Sequence, residues 1–268
     1  MAKLSWLIVG MSALALALAG ARAETATPAA TAAVATAASA GTQAVSPAAQ
    51  KMVRATIAKL SARAQVDSIE LAPMPGFYQV IASGQLLYIS SDGRYMLNGD
   101  LIDLTAKRNV SDAAWAKFRQ RELAQVPASA RIVYAPKNPL YTVSVFTDVN
   151  CSFCRALHKH IAALNAEGIA VEYLAWPREG VTTTAGRPTP TYTEMVSVWC
   201  ANDRKAAFVA ATEGHVQSAT CTNPVKDQFD LGVKLGINGT PGVIGPDGRL
   251  LGGYLTPEQL LAALRKGS

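Results

Sequence analysis

The chain has no Lys/Arg-rich run, no second closely spaced cysteine pair, and no long apolar stretch beyond its first eighteen residues. Each absence removes a class of function. Its 25 Lys and Arg against 19 Asp and Glu give a net charge of +6. That surplus is spread rather than clustered, so nucleic acid is not an expected partner. A structural zinc site needs a second close pair of ligands, and Cys200 and Cys221 stand well apart, which leaves zinc weakly supported. A c-type haem site needs His directly after its second cysteine, where this chain has Arg155. Neither metal nor cofactor is expected. With no later segment able to span a membrane, the body of the protein is expected to be soluble.

What is present is Cys151-Ser152-Phe153-Cys154, directly behind a β-branched run from Tyr141 to Thr147. Val143 and Val145 alternate there with Thr142, Ser144 and Phe146, the period of a strand. Leu157, Ile161 and Leu164 follow at helical spacing, and Gly168 is a stop signal. A second apolar run, Ile169 to Leu174, completes a βαβ unit. A Cys-x-x-Cys where a strand passes into a helix closes a disulfide across one turn and presents its first sulfur to solvent. A purely structural disulfide would gain little there, because so short a loop constrains little chain entropy. The pattern points to dithiol redox chemistry.

The N-terminus indicates the compartment. Lys3, the apolar run Leu4 to Leu18 and Ala21-Arg22-Ala23 have the form of a Sec-type signal peptide, residues 1–23, cleaved after Ala23. Its removal lowers the net charge to +4 and sends the protein to an oxidising compartment where disulfides persist. Residues 24–45 are nearly all Ala and Thr and read as a flexible tether.

Organised structure should begin at Ser46-Pro47, an N-cap followed by an N1 proline. Met52, Val53, Ile57 and Leu60 mark the apolar face of that helix. Short strands are expected at Ser68–Leu71, Phe77–Ser83, Leu86–Ser90 and Arg94–Leu97, with turns at Gly84 and Ser91-Asp92-Gly93. The resulting α+β unit, 46–107, is near the lower size limit for a core stable alone, and pairing with a second copy would relieve this. Residues 108–127 read as a charged linker helix with Trp115, Phe118 and Leu123 on one side, a spacer ended by Pro127. From 128 to 268 the βαβ unit is followed by a Pro/Thr-rich loop and helices around Trp199-Cys200 and Asp203–Glu213. A helix at Val225–Leu235 precedes Gly239-Thr240-Pro241-Gly242 and a hairpin turning at Gly245-Pro246-Asp247-Gly248. Thr256-Pro257-Glu258-Gln259 opens the last helix with a capping box. This order, β-α-β, helical insert, α-β-β-α, is that of an α/β thioredoxin-like domain with a helical insertion.

The runs VFTDVNCSFCRALHKH, EYLAWPREG and LGVKLGINGTPGVI, with LLYISSDGRYMLNGDLIDL in the smaller unit, resemble the DsbC-like bacterial periplasmic disulfide isomerases. The likeness extends from about Ser46 to the end. It implies a cystatin-like N-terminal dimerisation domain, a V-shaped homodimer with an apolar cleft, and a membrane thiol reductase of the DsbD type as electron donor. It also implies a cis peptide bond at Thr240-Pro241, beside the cysteines, whereas spacing alone leaves cis and trans open. Thr240 and Pro241 would then bind an extended substrate chain. The chain departs from the family at Ser152-Phe153, where isomerases commonly carry Gly-Tyr and the DsbG-like branch Pro-Tyr. Those two residues tune the thiol pKa and potential.

Cys151, at the helix start, faces unpaired backbone N–H groups that stabilise a thiolate and is the expected nucleophile. Cys154, one turn on and more buried, is the expected resolving thiol. Arg155, His158 and His160 read as an ordinary solvated helix face, and Asp148 as a satisfier of turn backbone rather than a proton carrier. Trp176, Trp199 and Tyr254 read as core or cleft residues. In an exported protein the remaining Cys200 and Cys221 read as a structural disulfide worth roughly 3 kcal/mol, with a second redox centre as the alternative. The expected activity is reshuffling of wrong disulfides in unfolded or misoxidised exported proteins, with chaperone-like substrate binding. The alternatives are a DsbG-like reductase of sulfenylated cysteines and a non-catalytic holdase.

Overall fold

The computed structural model describes residues 44–267. The leader, its cleavage site and nearly all of the Ala/Thr tether lie outside the described residues. Helix α1, Pro47–Leu60, starts where the capping signal placed it, with the Ser46 side chain accepting from Ala49 N–H and proline in its first turn. Its Val53 and Ile57 bury against Val80, Ala82, Leu87 and Ile89. Those four residues belong to an antiparallel sheet of β1 (Val66–Leu71), β2 (Phe77–Ala82), β3 (Gln85–Ser90) and β4 (Met96–Asn98), in that order.

The β2–β3 hairpin turns on Ser83 and Gly84, both at positive φ (47° and 74°), as a tight two-residue connection requires. Its tip touches the larger half of the molecule, since a Cβ on Gly84 would collide with the Val233 carbonyl oxygen. Strand β4 begins two residues later than the sequence suggests. Asp92 Oδ1 accepts from Arg94 N–H and Ser90 Oγ accepts from Tyr95 N–H, so these two residues belong to the turn. A ribbon of β5 (Ile102–Asp103) and β6 (Arg108–Asn109) was not anticipated.

Helix α2, Val110–Leu123, is capped by Asn109. It links the two halves in sequence but is not a spacer in space. Phe118 and Leu123 share one buried cluster with Ile81, Leu86 and Tyr88 of the small sheet and Phe146, Leu174, Trp176 and Leu235 of the larger half. Sequence periodicity places one apolar side on this helix, but both neighbours use it. Polar anchors reinforce the packing. Buried Ser111 Oγ lies 2.7 Å from Tyr88 OH and accepts from Leu101 N–H, and Lys234 pairs with both Glu122 and Asp67.

The larger half is built on a five-stranded sheet. Its strands are β7 (Ile132–Tyr134), β8 (Tyr141–Thr147), β9 (Ile169–Ala175), β10 (Gly242–Ile244) and β11 (Leu250–Gly252), ordered β11-β10-β8-β9-β7. Only β8 and β9 run parallel. Alternation sorts their side chains onto two faces. Val143, Val145, Val171 and Tyr173 face one core with Leu157, Trp199, Phe208 and Leu260, whereas Phe146 and Leu174 face the cluster shared with α2.

The helix expected from the motif to Gly168 is two helices, α3 (Ser152–Lys159) and α4 (Ile161–Ala166), divided at His160. Gly168, at φ 76°, ends the pair as expected, and its carbonyl accepts from Leu140 and Tyr141 at the start of β8. The insert is α5 (Pro190–Trp199) and α6 (Arg204–Thr212), and the closing helices are α7 (Val225–Lys234) and α8 (Pro257–Arg265). The capping box at Thr256 and Gln259 is present in full. Cys200 and Cys221 are disulfide-bonded, with Cα atoms 5.6 Å apart.

Candidate active site

Strand β8, the central strand of the sheet, ends at Thr147, and Asp148 turns the chain into α3. This carboxylate is buried and fully occupied. Oδ1 accepts from Asn150 N–H at 2.7 Å, and Oδ2 accepts from Arg178 N–H and Nε–H at 2.9 and 3.2 Å. Asp148 thus satisfies turn backbone, as the sequence suggests. Cys151 occupies the N-cap of α3 and Cys154 lies within its first turn; both are free thiols.

Cys151 does not present its sulfur openly. The residue is only 2 % exposed, because the Thr240-Pro241 loop lies against it. That peptide bond is cis, and Cys151 Sγ donates to the Thr240 carbonyl at 3.2 Å. The Thr240 carbonyl is therefore occupied while the thiol is protonated. A hydrogen bond from the Cys154 thiol is the largest influence on Cys151. With help from the Thr240 side chain and the N–H groups of Cys154 and Phe153, it holds the Cys151 pKa down to about 5 against the opposing effect of burial. Cys154 moves the other way: burial, then its hydrogen bond to Cys151, pushes its pKa well above the ordinary thiol value. A helix start, a second thiol and a low-polarity floor thus split two identical groups into a thiolate and a retained thiol.

Of the two residues between the cysteines, Phe153 stands 59 % exposed, its ring 6.2 Å from that of Tyr254. His160 also approaches Tyr254, ring centroids 6.3 Å apart. An aromatic rim thus borders the dithiol. Tyr254 is half-buried at this rim, whereas Trp199 is entirely core.

His158 corrects the expected solvated face. Its ring packs among Tyr134, Tyr173 and Phe208, with Nδ1 3.2 Å from Tyr173 OH. Burial lowers its pKa, so it adds no charge near the thiolate at neutral pH. Its position four residues after Cys154, on the same helix face, was a signal of inward orientation.

Arg178, Asn150 and Glu194 were missed as site residues. Arg178 Nη2–H donates to Asn150 O at 3.1 Å, while Asn150 Nδ2–H donates to Glu194 Oε2 at 2.6 Å and Thr191 Oγ1 at 3.2 Å. These bonds tie the loop before Cys151 to β9's exit and to α5. The Trp-Pro-Arg-Glu-Gly run was visible in sequence, but nothing local indicated that its arginine returns to the turn.

Residues 28–112 match the disulfide bond isomerase protein N-terminal domain, and residues 128–268 match the thioredoxin-like domain. The thiol:disulfide interchange protein DsbC of Dickeya dadantii is 34% identical over 201 residues, covering 75% of this chain and 81% of that protein. The DsbC of Escherichia coli K12 is 34% identical over 211 residues, covering 78% and 84%. The chain belongs to the DsbC family. A crystal structure of a disulfide interchange protein from Neisseria gonorrhoeae matches at 27% identity, covering 53% of this chain and 97% of that one, with a TM-score of 0.45. The two family-model matches divide this chain into the same small-sheet unit and thioredoxin-like unit that the structure shows.

Proposed function

We propose that this DsbC-family chain is a periplasmic disulfide isomerase in which Cys151 is the nucleophile and Cys154 the resolving thiol. The observation that carries the reading is the pair of free thiols at the start of α3, the first polarised toward thiolate against the Thr240-Pro241 loop. The Cys151 thiolate attacks one sulfur of a wrong disulfide, and the other client sulfur leaves as a thiolate. That thiolate, or another within the client, forms a new disulfide and expels Cys151, with no net change in electrons. If rearrangement stalls, Cys154 loses its proton and attacks Cys151 Sγ, which releases the client thiol and leaves the enzyme oxidised. A membrane reductase of the DsbD type then restores the dithiol. Thr240 and Pro241 bind the extended client chain, and Ser152 and Phe153 tune the pair.

The reading includes a homodimer joined through the small unit. Strand β4 is a sheet edge with all three residues exposed, and Tyr95, Met96, Leu97, Ile102 and Leu104 leave large apolar side chains uncovered around it. Such an edge on a monomer is an invitation to pairing. Export through the leader at 1–23 places the dimer in the periplasm. The test is refolding of a scrambled multi-disulfide protein, set beside reduction of a sulfenylated thiol. Isomerisation at the faster rate supports the reading; activity on the sulfenic acid alone would replace it with a DsbG-like role, and refolding that survives loss of both active-site cysteines would make the chain a holdase.

A further inference from the structure

A cavity of about 610 Å³ opens between α2, β11 and α8. Its floor is Arg119, an arginine only 7 % exposed. Burying a guanidinium is costly unless its donors and charge are answered. Two answers are present. Nε–H donates to the Leu235 carbonyl at 3.0 Å, at the negative end of α7, and the guanidinium lies 4.8 Å from the Trp115 ring centroid. The terminal nitrogens make no hydrogen bond among the described residues, and no carboxylate pairs with the group within 4 Å. Asp112 lines the cavity and acts on Arg119 only through space. Burial lowers the Arg119 pKa to about 10, so it stays charged at neutral pH.

Lys266, exposed at the rim, also has no ion-pair partner among the described residues, whereas Arg249 is held by Asp247. The free fork of Arg119 matches the two oxygens of a carboxylate. Leu250 on β11 lines this cavity and also the smaller one, about 260 Å³, that contains Thr240 and Pro241. The two spaces are therefore neighbours along one sheet edge.

We propose that the Arg119 cavity is a subsite for a carboxylate side chain on the client polypeptide, filled by a segment that continues past the Thr240-Pro241 loop while its cysteine reacts at Cys151. This rests on the thiol-exchange reading and adds a preference for acidic residues at a fixed distance from the reacting cysteine. The test uses the full reduced protein and a set of peptides, each bearing one activated mixed disulfide, with a single Asp or Glu moved residue by residue from the cysteine. One register should react about tenfold faster than the neutral peptide. Inorganic phosphate, as a competing oxyanion, should erase that advantage while a matched-ionic-strength chloride control should not. The acidic-to-neutral rate ratio should fall toward one in Arg119→Gln and also in Lys266→Ala, which is exposed and serves as the informative variant if Arg119→Gln folds poorly. Equal rates across all registers, or an advantage that survives Lys266→Ala and phosphate, would overturn the subsite. Failure of the neutral peptide to react at all would instead overturn the thiol-exchange reading on which it rests.

Discussion

The two cysteine pairs make the informative comparison. Cys151 and Cys154 are both buried yet unbonded, and Cys200 and Cys221 are bonded although Cys221 is exposed. Exposure therefore does not separate reactive from inert sulfur here. What separates them is the neighbourhood. The first pair shares a helix start with donors aimed at one sulfur, and a low-polarity interior holds the proton on the other. The second pair sits at the end of α5 and in the loop before α7, where it closes the insert. One pair is poised by its surroundings; the other restrains them.

The sharpest way to break this comparison is to remove one sulfur at a time. Cys151→Ser should reduce thiol exchange to background in a scrambled-substrate refolding assay. Cys154→Ser should keep the attack and accumulate protein–client mixed disulfides on non-reducing gels; a variant that releases clients as fast as the parent would refute the resolving role. The second pair should respond in stability instead. Cys200→Ala with Cys221→Ala should lower unfolding free energy by about 3 kcal/mol in denaturant titration while leaving the Cys151 alkylation rate within about twofold. A glutathione titration should place the first pair between about −200 and −120 mV and the second below about −300 mV.

Smaller effects come from charge. Because the folded pKa of Cys151, about 5, lies below the ordinary thiol value, its ionisation favours the folded reduced form. That contribution is fully present above the unfolded thiol pKa and shrinks as pH falls, until it is gone below about 5. The oxidised protein has no such term, so the difference in Tm between reduced and oxidised forms should shift against the reduced form from about pH 8 to about pH 5. Iodoacetamide reactivity should show its midpoint at the lower end of that window. The mildest expected change is Arg178→Ala. It removes the half-exposed partner of the buried Asp148 carboxylate and the bond to Asn150 O, and should slow Cys151 alkylation several-fold, a loss of about 1 kcal/mol.

Much of this was legible because the signals were local. Ser46-Pro47, Thr256 to Gln259 and Gly168 each fixed a helix end through backbone chemistry within four residues. The Tyr141–Thr147 alternation fixed a strand because both faces of the sheet are used. The Cys-x-x-Cys placed the dithiol at the start of α3. The features that escaped depend on distant partners. His158 turns inward because β7, β9 and α6 supply an aromatic pocket for it. Cys151 is covered because a loop nearly ninety residues later lies on it. Helix α2 is a shared layer because Ile81, Leu86 and Tyr88 of the small sheet and Phe146, Leu174 and Leu235 of the larger half all pack into the cluster of Phe118 and Leu123. No periodicity within α2 distinguishes one neighbour from two.

The bond from Cys151 Sγ to the Thr240 carbonyl also works as a latch. While the sulfur keeps its proton, it occupies the acceptor that the proposed function assigns to an incoming client strand. When the proton leaves, the sulfur can no longer donate, and that oxygen is released for a client N–H at the moment the nucleophile is armed. Under the proposed function, the thiol hydrogen of Cys151 and a client N–H compete for one oxygen, so docking at Thr240 and the ionised state of Cys151 favour each other.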